Sequence, residues 1–231
     1  ARDCRSDGCS SVLTGGMGAS SPAPVLTPAL EAEAIETIIK PTIAGMAKAG
    51  TPYSGVLYAG LMLTRTGPKL IEYNARFGDP ECQVLMMRLE DDLLELMLAT
   101  EAGELAGRAA PRFSADTALT VVMAAKGYPG TPEAGGAIGG IEAAEATGAK
   151  VFQAGTRLDG DTLVAAGGRV LTVTATGSSV TEAQAAAYRA VDAVDFPTGF
   201  ARRDIGWREL VRERDSTPTL PPAQLPKRPP P

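Results

Sequence analysis

The sequence predicts an α+β chain, and three observations carry that prediction. Apolar residues recur at helical spacing in several segments of the first half. Two β-rich runs flank a turn containing Thr66 and Gly67, the pattern of an antiparallel hairpin. Beyond about residue 105, β-type runs alternate with Gly-rich turns until an Ala-rich helix closes the pattern.

Taken in order, residues 1–13 (ARDCRSDGCSSVL) show no sustained period, and residues 14–24 (TGGMGASSPAP) are loop chemistry, so order is expected to begin after them. Ile35, Ile38, Ile39, Ile43 and Met46 mark one face of a helix over residues 29–49, which Pro41 should kink or divide. Residues 53–64 and 69–75 are the two arms of the hairpin. Asp79 suits an N-cap and Pro80 a first helical position ahead of Val84, Leu85, Met87 and Leu89, so a strand hands over to a helix through Arg76-Phe77-Gly78. A second helix starts at Asp91-Asp92 and runs through Leu93, Leu94, Leu96 and Met97 to Gly103, which suits a C-terminal cap. Residues 118–125, 150–156 and 169–176 read as strands. In the last of these, Leu171 and Val173 alternate with Thr172 and Thr174, the period of a half-buried strand. Ser179 and Glu182 form a capping box for a helix ending near Val194. From Thr217 onward the density of Pro predicts a disordered tail.

Composition narrows the chemistry. The 231 residues are 44% hydrophobic and 21% charged, the make-up of a globular chain. Lys and Arg total 22 against 27 for Asp and Glu, a net charge of −5, which argues against a nucleic-acid partner. No histidine is present, so imidazole bases, His triads and His-ligated zinc are excluded. Cys4, Cys9 and Cys82 make neither an even disulfide framework nor a CxxC pair, which points to a reducing cytoplasm. No apolar run approaches a membrane span, so no membrane partner is expected.

The most informative stretch is IEYNARFGDPECQ, residues 71–83. On a strand, Glu72 and Asn74 project from one face and offer two hard oxygen ligands, as Mg²⁺ accepts; alone, the pair also fits an ordinary solvated face. Arg76 continues the alternation and could hold a phosphate or carboxylate in bidentate fashion, or simply pair with Asp79 or Glu81. Gly78 permits a tight turn, and the helix that follows presents amides toward an anion. Locally, Asp79 reads better as a cap than as a catalyst.

RFGDPECQ (residues 76–83) resembles the signature of the phosphoribosylamine–glycine ligase, or glycinamide ribonucleotide synthetase, family. TGGMGASSPAP (14–24), YSGVLYAGLMLT (53–64), VFQAGT (151–156), GGRVLTVTATG (167–177) and DIGWREL (204–210) are similar to the same family in the same order, covering about residues 14–210. The resemblance implies the C-terminal part of an ATP-grasp domain, an antiparallel sheet plus helices, followed by a small β-rich domain. It implies a cytoplasmic ligase of de novo purine synthesis that joins glycine to 5-phosphoribosylamine through glycyl phosphate, with ATP as co-substrate. Glu72 and Asn74 resemble the Mg²⁺ or Mn²⁺ ligands of that family. Arg76, Gly78 and Asp79 would lie by the substrates and the transferring phosphate, Arg76 and Asp79 in catalytic positions. Thr14, Gly15, Gly16, Met17 and Gly18 match a loop whose amides approach a phosphate.

The resemblance also implies what lies outside this match. The family's nucleotide-binding lysines and its phosphoribosylamine-binding domain precede the TGGMGA loop, so activity is expected to need those portions. The organisation expected is an atypical segment over 1–13, an ATP-grasp part over 14–105, a small α+β domain over 106–210 and a Pro-rich tail over 211–231. Gln153 stands where the family usually has His, which removes acid–base chemistry there but keeps hydrogen bonding. A folded, inactive remnant or binding module is the alternative, with another ATP-grasp ligase behind it.

Overall fold

The computed structural model describes residues 16–216. Thr14, Gly15, Cys4, Cys9 and the rest of the first segment, with the Pro-rich stretch from Thr217, lie outside the described residues. In chain order the elements are β1 (Gly18–Ser21), α1 (Pro28–Ala34), a π-helical turn (Ile35–Ile39), α2 (Lys40–Lys48), β2 (Tyr58–Thr64), β3 (Gly67–Asn74), α3 (Glu81–Arg88) and α4 (Leu93–Glu101). A 3₁₀ turn (Leu105–Gly107) leads to β4 (Thr117–Ala125), α5 (Ile141–Glu145), β5 (Lys150–Gln153), β6 (Thr156–Asp159), β7 (Thr162–Ala165), β8 (Arg169–Gly177), α6 (Val180–Ala193), β9 (Gly199–Ala201) and α7 (Trp207–Ser216). The α+β class holds, and every sheet is antiparallel. The described elements fall into two compact units, one from residues 23–78 and 89–113, the other from residues 16–22, 79–88 and 114–216.

In the first unit, Thr27 caps α1 by accepting from the Leu30 amide, with Pro28 at the first position. Pro41 neither ends the helix nor leaves it regular. Its missing amide falls just after the π-helical turn, where the Lys40 N–H reaches back to the Ile35 carbonyl, and α2 continues to Lys48. β2 and β3 form the expected hairpin, Thr64 opposite Gly67, with a bulge at the Gly60/Leu61 step. Gly67 is required by its φ of +94°, a backbone conformation that L side chains rarely adopt. The strand stops at Asn74, short of the expected residue 75, and the chain bends at Ala75 and Arg76. α4 is capped by Asp92, which accepts from the Leu94 and Glu95 amides, and Gly103 follows its end at φ +72°.

The second unit is built on a five-stranded sheet. Its order is β1-β4-β8-β5, with β9 sharing the outer edge of β4. The expectation that order begins after residue 24 is corrected here: Gly18–Ser21 pair with Val121–Ala118 as an edge strand. Small residues without an apolar pattern become a strand because β4 has an open edge to pair. β8 corrects a second expectation, since Thr172 and Thr174 are as buried as Leu171 and Val173. Helices α3 and α6 both pack on β4 and β8, so no face of these central strands is left to water. The Thr174 hydroxyl is satisfied within the sheet: it lies 2.6 Å from that of Thr120, which also reaches the Val173 carbonyl.

Ser179 caps α6 through the Glu182 amide, but the box does not close on itself. The Glu182 carboxylate instead accepts from the amide and hydroxyl of Ser178. The second cap comes from α7, which runs through Ser216, past the limit of 210 expected for this domain. Glu213 accepts from the Val180 and Thr181 amides at 3.0 Å each and from the Thr181 hydroxyl at 2.5 Å. The Thr181 hydroxyl, helped by the two amides, holds the Glu213 carboxyl below its usual range against partial burial. A carboxyl depressed by folding stabilises above its unfolded pKa and loses that contribution as pH falls through its folded value. Glu213→Gln is therefore expected to lower the thermal midpoint near pH 7 by a few degrees, on the scale of about 1 kcal/mol for a lost cap. The gap between wild type and variant should close as the solution is taken toward pH 3; melting curves at both pH values check this, and a pH-independent gap would refute it.

Candidate functional site

Glu72 and Asn74 occupy the end of β3, opposite Gly60 and Tyr58 of β2. The residue between them settles their direction. The Tyr73 hydroxyl lies 2.7 Å from that of Thr42 and 3.2 Å from the Ile38 carbonyl, so the Tyr73 face is the one applied to the helices. Alternation then sets Glu72 and Asn74 on the other face of the hairpin, together, as the i, i+2 spacing requires. Glu72 is exposed and Asn74 half-buried. One carboxylate and one amide suit Mg²⁺ or Mn²⁺, which take few protein oxygens and complete their shell with water and phosphate. Among the described residues no group of three or more acidic or thiol side chains forms a closed metal cage.

Gly60 explains why the carboxylate has room. A Cβ on Gly60 would lie 3.0 Å from Cγ of Glu72 and 3.7 Å from its Oε1, so the glycine lets this side chain lie across the ladder. An isolated glycine inside the run YAGLMLT is the sequence signal that marks such a close approach. Gly60→Val should leave the hairpin formed yet push Glu72 aside, weakening any Mn²⁺ binding that uses this carboxylate about 10-fold, the scale of losing a group that orients a ligand. A Mn²⁺ titration of the two proteins checks it; an unchanged half-saturation would show that the glycine has no such role.

Arg76 does not continue the alternation of β3, because the ladder has ended and the chain bends there. Its exposed guanidinium donates to the Phe77 carbonyl at 2.7 Å. Gly78 is buried. Asp79 does not cap α3, which starts at Glu81. Its Oδ1 accepts from the Gln83 side chain at 3.2 Å and its Oδ2 from Arg169 at 2.8 Å, so the carboxylate is taken up by side chains instead of the helix amides. Cys82 lies beside it, half-buried; burial and then the Asp79 charge push its thiol up, away from a reactive thiolate.

Of the glycine loop, Gly16, Met17 and Gly18 are described. Gly16 has φ +75°, and a Cβ there would lie 2.7 Å from Nη1 of Arg169. Met17 is buried in the core. A Cβ on Gly18 would meet Ile205 at 2.5 Å and the Thr120 carbonyl at 2.8 Å. Both glycines thus have packing reasons of their own. The structure brings Gly16, Gly18 and Asp79 into one unit and Glu72, Asn74, Arg76 and Gly78 into the other. Gln153 ends β5, exposed, with its Oε1 accepting from Thr156 at 3.0 Å. Arg169 is the residue that local reading passed over; a single Arg opening an apolar strand was its only signal.

Comparison with known proteins adds the family. The phosphoribosylglycinamide synthetase ATP-grasp (A) domain matches residues 3–82, and the C domain of the same synthetase matches residues 118–208. The phosphoribosylamine–glycine ligase of Mesorhizobium japonicum is 60% identical over 203 residues, 88% of this chain and 48% of the relative. That of Agrobacterium fabrum is 57% identical over 209 residues, 90% of this chain and 49% of the relative. The crystal structure of phosphoribosylamine–glycine ligase from Thermotoga maritima superposes with a TM-score of 0.73 at 36% identity, over 86% of this chain and 48% of that one. The chain spans about half the length of the curated relatives it matches. No helix among the described residues is long and apolar enough to cross a membrane.

Proposed function

The chain belongs to the phosphoribosylglycinamide synthetase family, with parts matching its ATP-grasp and C domains, and from that membership we propose that it is part of an ADP-forming ligase that joins glycine to 5-phosphoribosylamine. In the reaction a glycine carboxylate oxygen bonds to the terminal phosphorus of ATP and ADP leaves. The amine nitrogen then bonds to the acyl carbon, phosphate leaves and the nitrogen gives up a proton. The one observation that carries the reading is the open face of β3, where Glu72 and Asn74 stand together at the head of the run that continues into Arg76, Gly78 and Asp79. Glu72 and Asn74 would hold Mg²⁺ or Mn²⁺, which supplies charge neutralisation at the phosphates.

The chain's own groups do the rest. Arg76, exposed and donating to the Phe77 carbonyl through Nη1, would clamp a carboxylate or phosphate oxygen. Gly78 would let main chain approach the substrates, and Asp79, held by Arg169, would orient them. Thr14, Gly15, Gly16, Met17 and Gly18 would meet a phosphate through main-chain amides. A cytoplasmic setting is part of the proposal.

The test is direct. The full-length ligase containing this chain should form ADP only when glycine and phosphoribosylamine are both supplied. This 231-residue chain alone should form none, since the nucleotide-positioning groups of the family lie in the other half. ADP formation with either substrate omitted, or turnover by the chain alone, would overturn the proposal.

A further inference from the structure

Arg169 is the first residue of β8, and its guanidinium gathers two distant parts of the chain. Nη1 donates to the Gly16 carbonyl at 3.0 Å and to the Asp79 carbonyl at 2.8 Å, and Nη2 donates to Asp79 Oδ2 at 2.8 Å. The sequence separations are 153 and 90 residues. Both hydrogens of Nη1 are therefore committed to main-chain carbonyls. The main chain from which the arm springs is closely packed. A Cβ on Gly155 would lie 2.7 Å from the Arg169 carbonyl and 2.8 Å from Gly167 Cα, and the Gly155 amide donates to that carbonyl. The Arg169 side chain is 28% exposed. Gly16, in turn, leaves the space in which Nη1 sits.

From this geometry we infer that Arg169 is a positioning residue: it sets the main chain of Gly16 and the carboxylate of Asp79 in one fixed arrangement for the substrates. The inference rests on the ligase reading above, which puts Asp79 and the glycine loop beside those substrates. Arg169 acts through its two partners and does not itself touch the reacting atoms. A planar fork with several fixed donors is needed to reach two carbonyls and a carboxylate at once, which an ammonium cannot reproduce. A displacement of these groups by about 1 Å would cost on the order of 100-fold in rate.

Two measurements test it. In this chain, Arg169→Ala should move the amide resonances of Gly16, Met17, Gly18 and Asp79 while those of Thr172 to Thr174, further along the strand, stay in place. Unmoved loop resonances would overturn the brace whatever the enzyme does. In the full-length ligase, Arg169→Ala should lower kcat about 100-fold with KM for ATP unchanged, and Arg169→Lys should recover little of it. Arg169→Ala combined with Asp79→Asn should be no worse than the poorer single variant, because both remove the same arrangement. Additive losses, an unaltered kcat, or a rise confined to the KM for ATP would overturn the positioning role. A wild-type ligase that formed no ADP would instead bring down the ligase reading and the catalytic part of this inference, leaving the resonances to decide the brace alone.

Discussion

Glu72→Ala is expected to lower ADP formation by the full-length ligase at least about 100-fold, because a bound divalent cation contributes several kcal/mol at the transferring phosphate and each 1.36 kcal/mol is a factor of ten. The carboxylate is the only charged member of the pair on the open face of β3; Asn74 brings a neutral oxygen, and two neutral donors would hold Mg²⁺ poorly in competition with water. Glu72 is exposed and lies outside the core, so its truncation should leave the melting temperature nearly where it was. That combination, activity lost and stability kept, separates a metal ligand from a structural carboxylate. Glu72→Asp should retain part of the rate at raised metal concentration, since the charge survives one methylene shorter. If Glu72→Ala turned over at the wild-type rate, the metal assignment would be wrong and Asn74 would have no claim of its own.

What could be read from the sequence and what could not divide along the range of the interactions involved. The Asp92 cap with Gly103 beyond it, the Ser179 cap and the hairpin are set within a few residues, and each was legible. So was the shared face of Glu72 and Asn74, which follows from a spacing of two on any strand. β1 was not, because Gly-Ala-Ser-Ser carries no strand pattern; only the free edge of β4, a hundred residues away in sequence, makes it a strand. Thr172 and Thr174 misled for a related reason. Alternating hydroxyls ordinarily face water, and here one of them spends its hydrogen-bonding capacity on a threonine of the next strand. Asp79 looked like a cap because caps are local, whereas its carboxylate is claimed by Arg169 from another strand. Two neighbours of the candidate site residues escaped notice on the same ground: Gly60 is set by its cross-strand partner Glu72 and Arg169 by the two segments it joins.

Leu171→Ala should cost this chain about 2–5 kcal/mol, a large share of the roughly 5–15 kcal/mol that holds a domain folded. Leu171 is fully buried at the centre of the five-stranded sheet, in register with Met123 on one side and Gln153 on the other. With Leu119 it heads the largest fully buried side chains, in a core otherwise supplied heavily by alanines: Ala124, Ala125, Ala165, Ala175, Ala183, Ala187 and Ala190. Alanine has no rotamers with which to swing into a vacated space, so the cavity would stay open and the loss should fall in the upper part of that range. Leu158→Ala, 70% exposed on β6, is the matched control and should change stability by less than about 0.5 kcal/mol. Urea unfolding of the three proteins measures both, and coincident midpoints for Leu171→Ala and wild type would contradict the central place given to β8. The same variant also guards the reading of Arg169, which begins this strand. While still folded, Leu171→Ala should leave the Gly16 and Asp79 resonances at their wild-type positions, because it weakens the strand without touching the guanidinium. Arg169→Ala should move them with a far smaller loss of stability, since it removes hydrogen bonds at the margin of the core and opens no cavity within it.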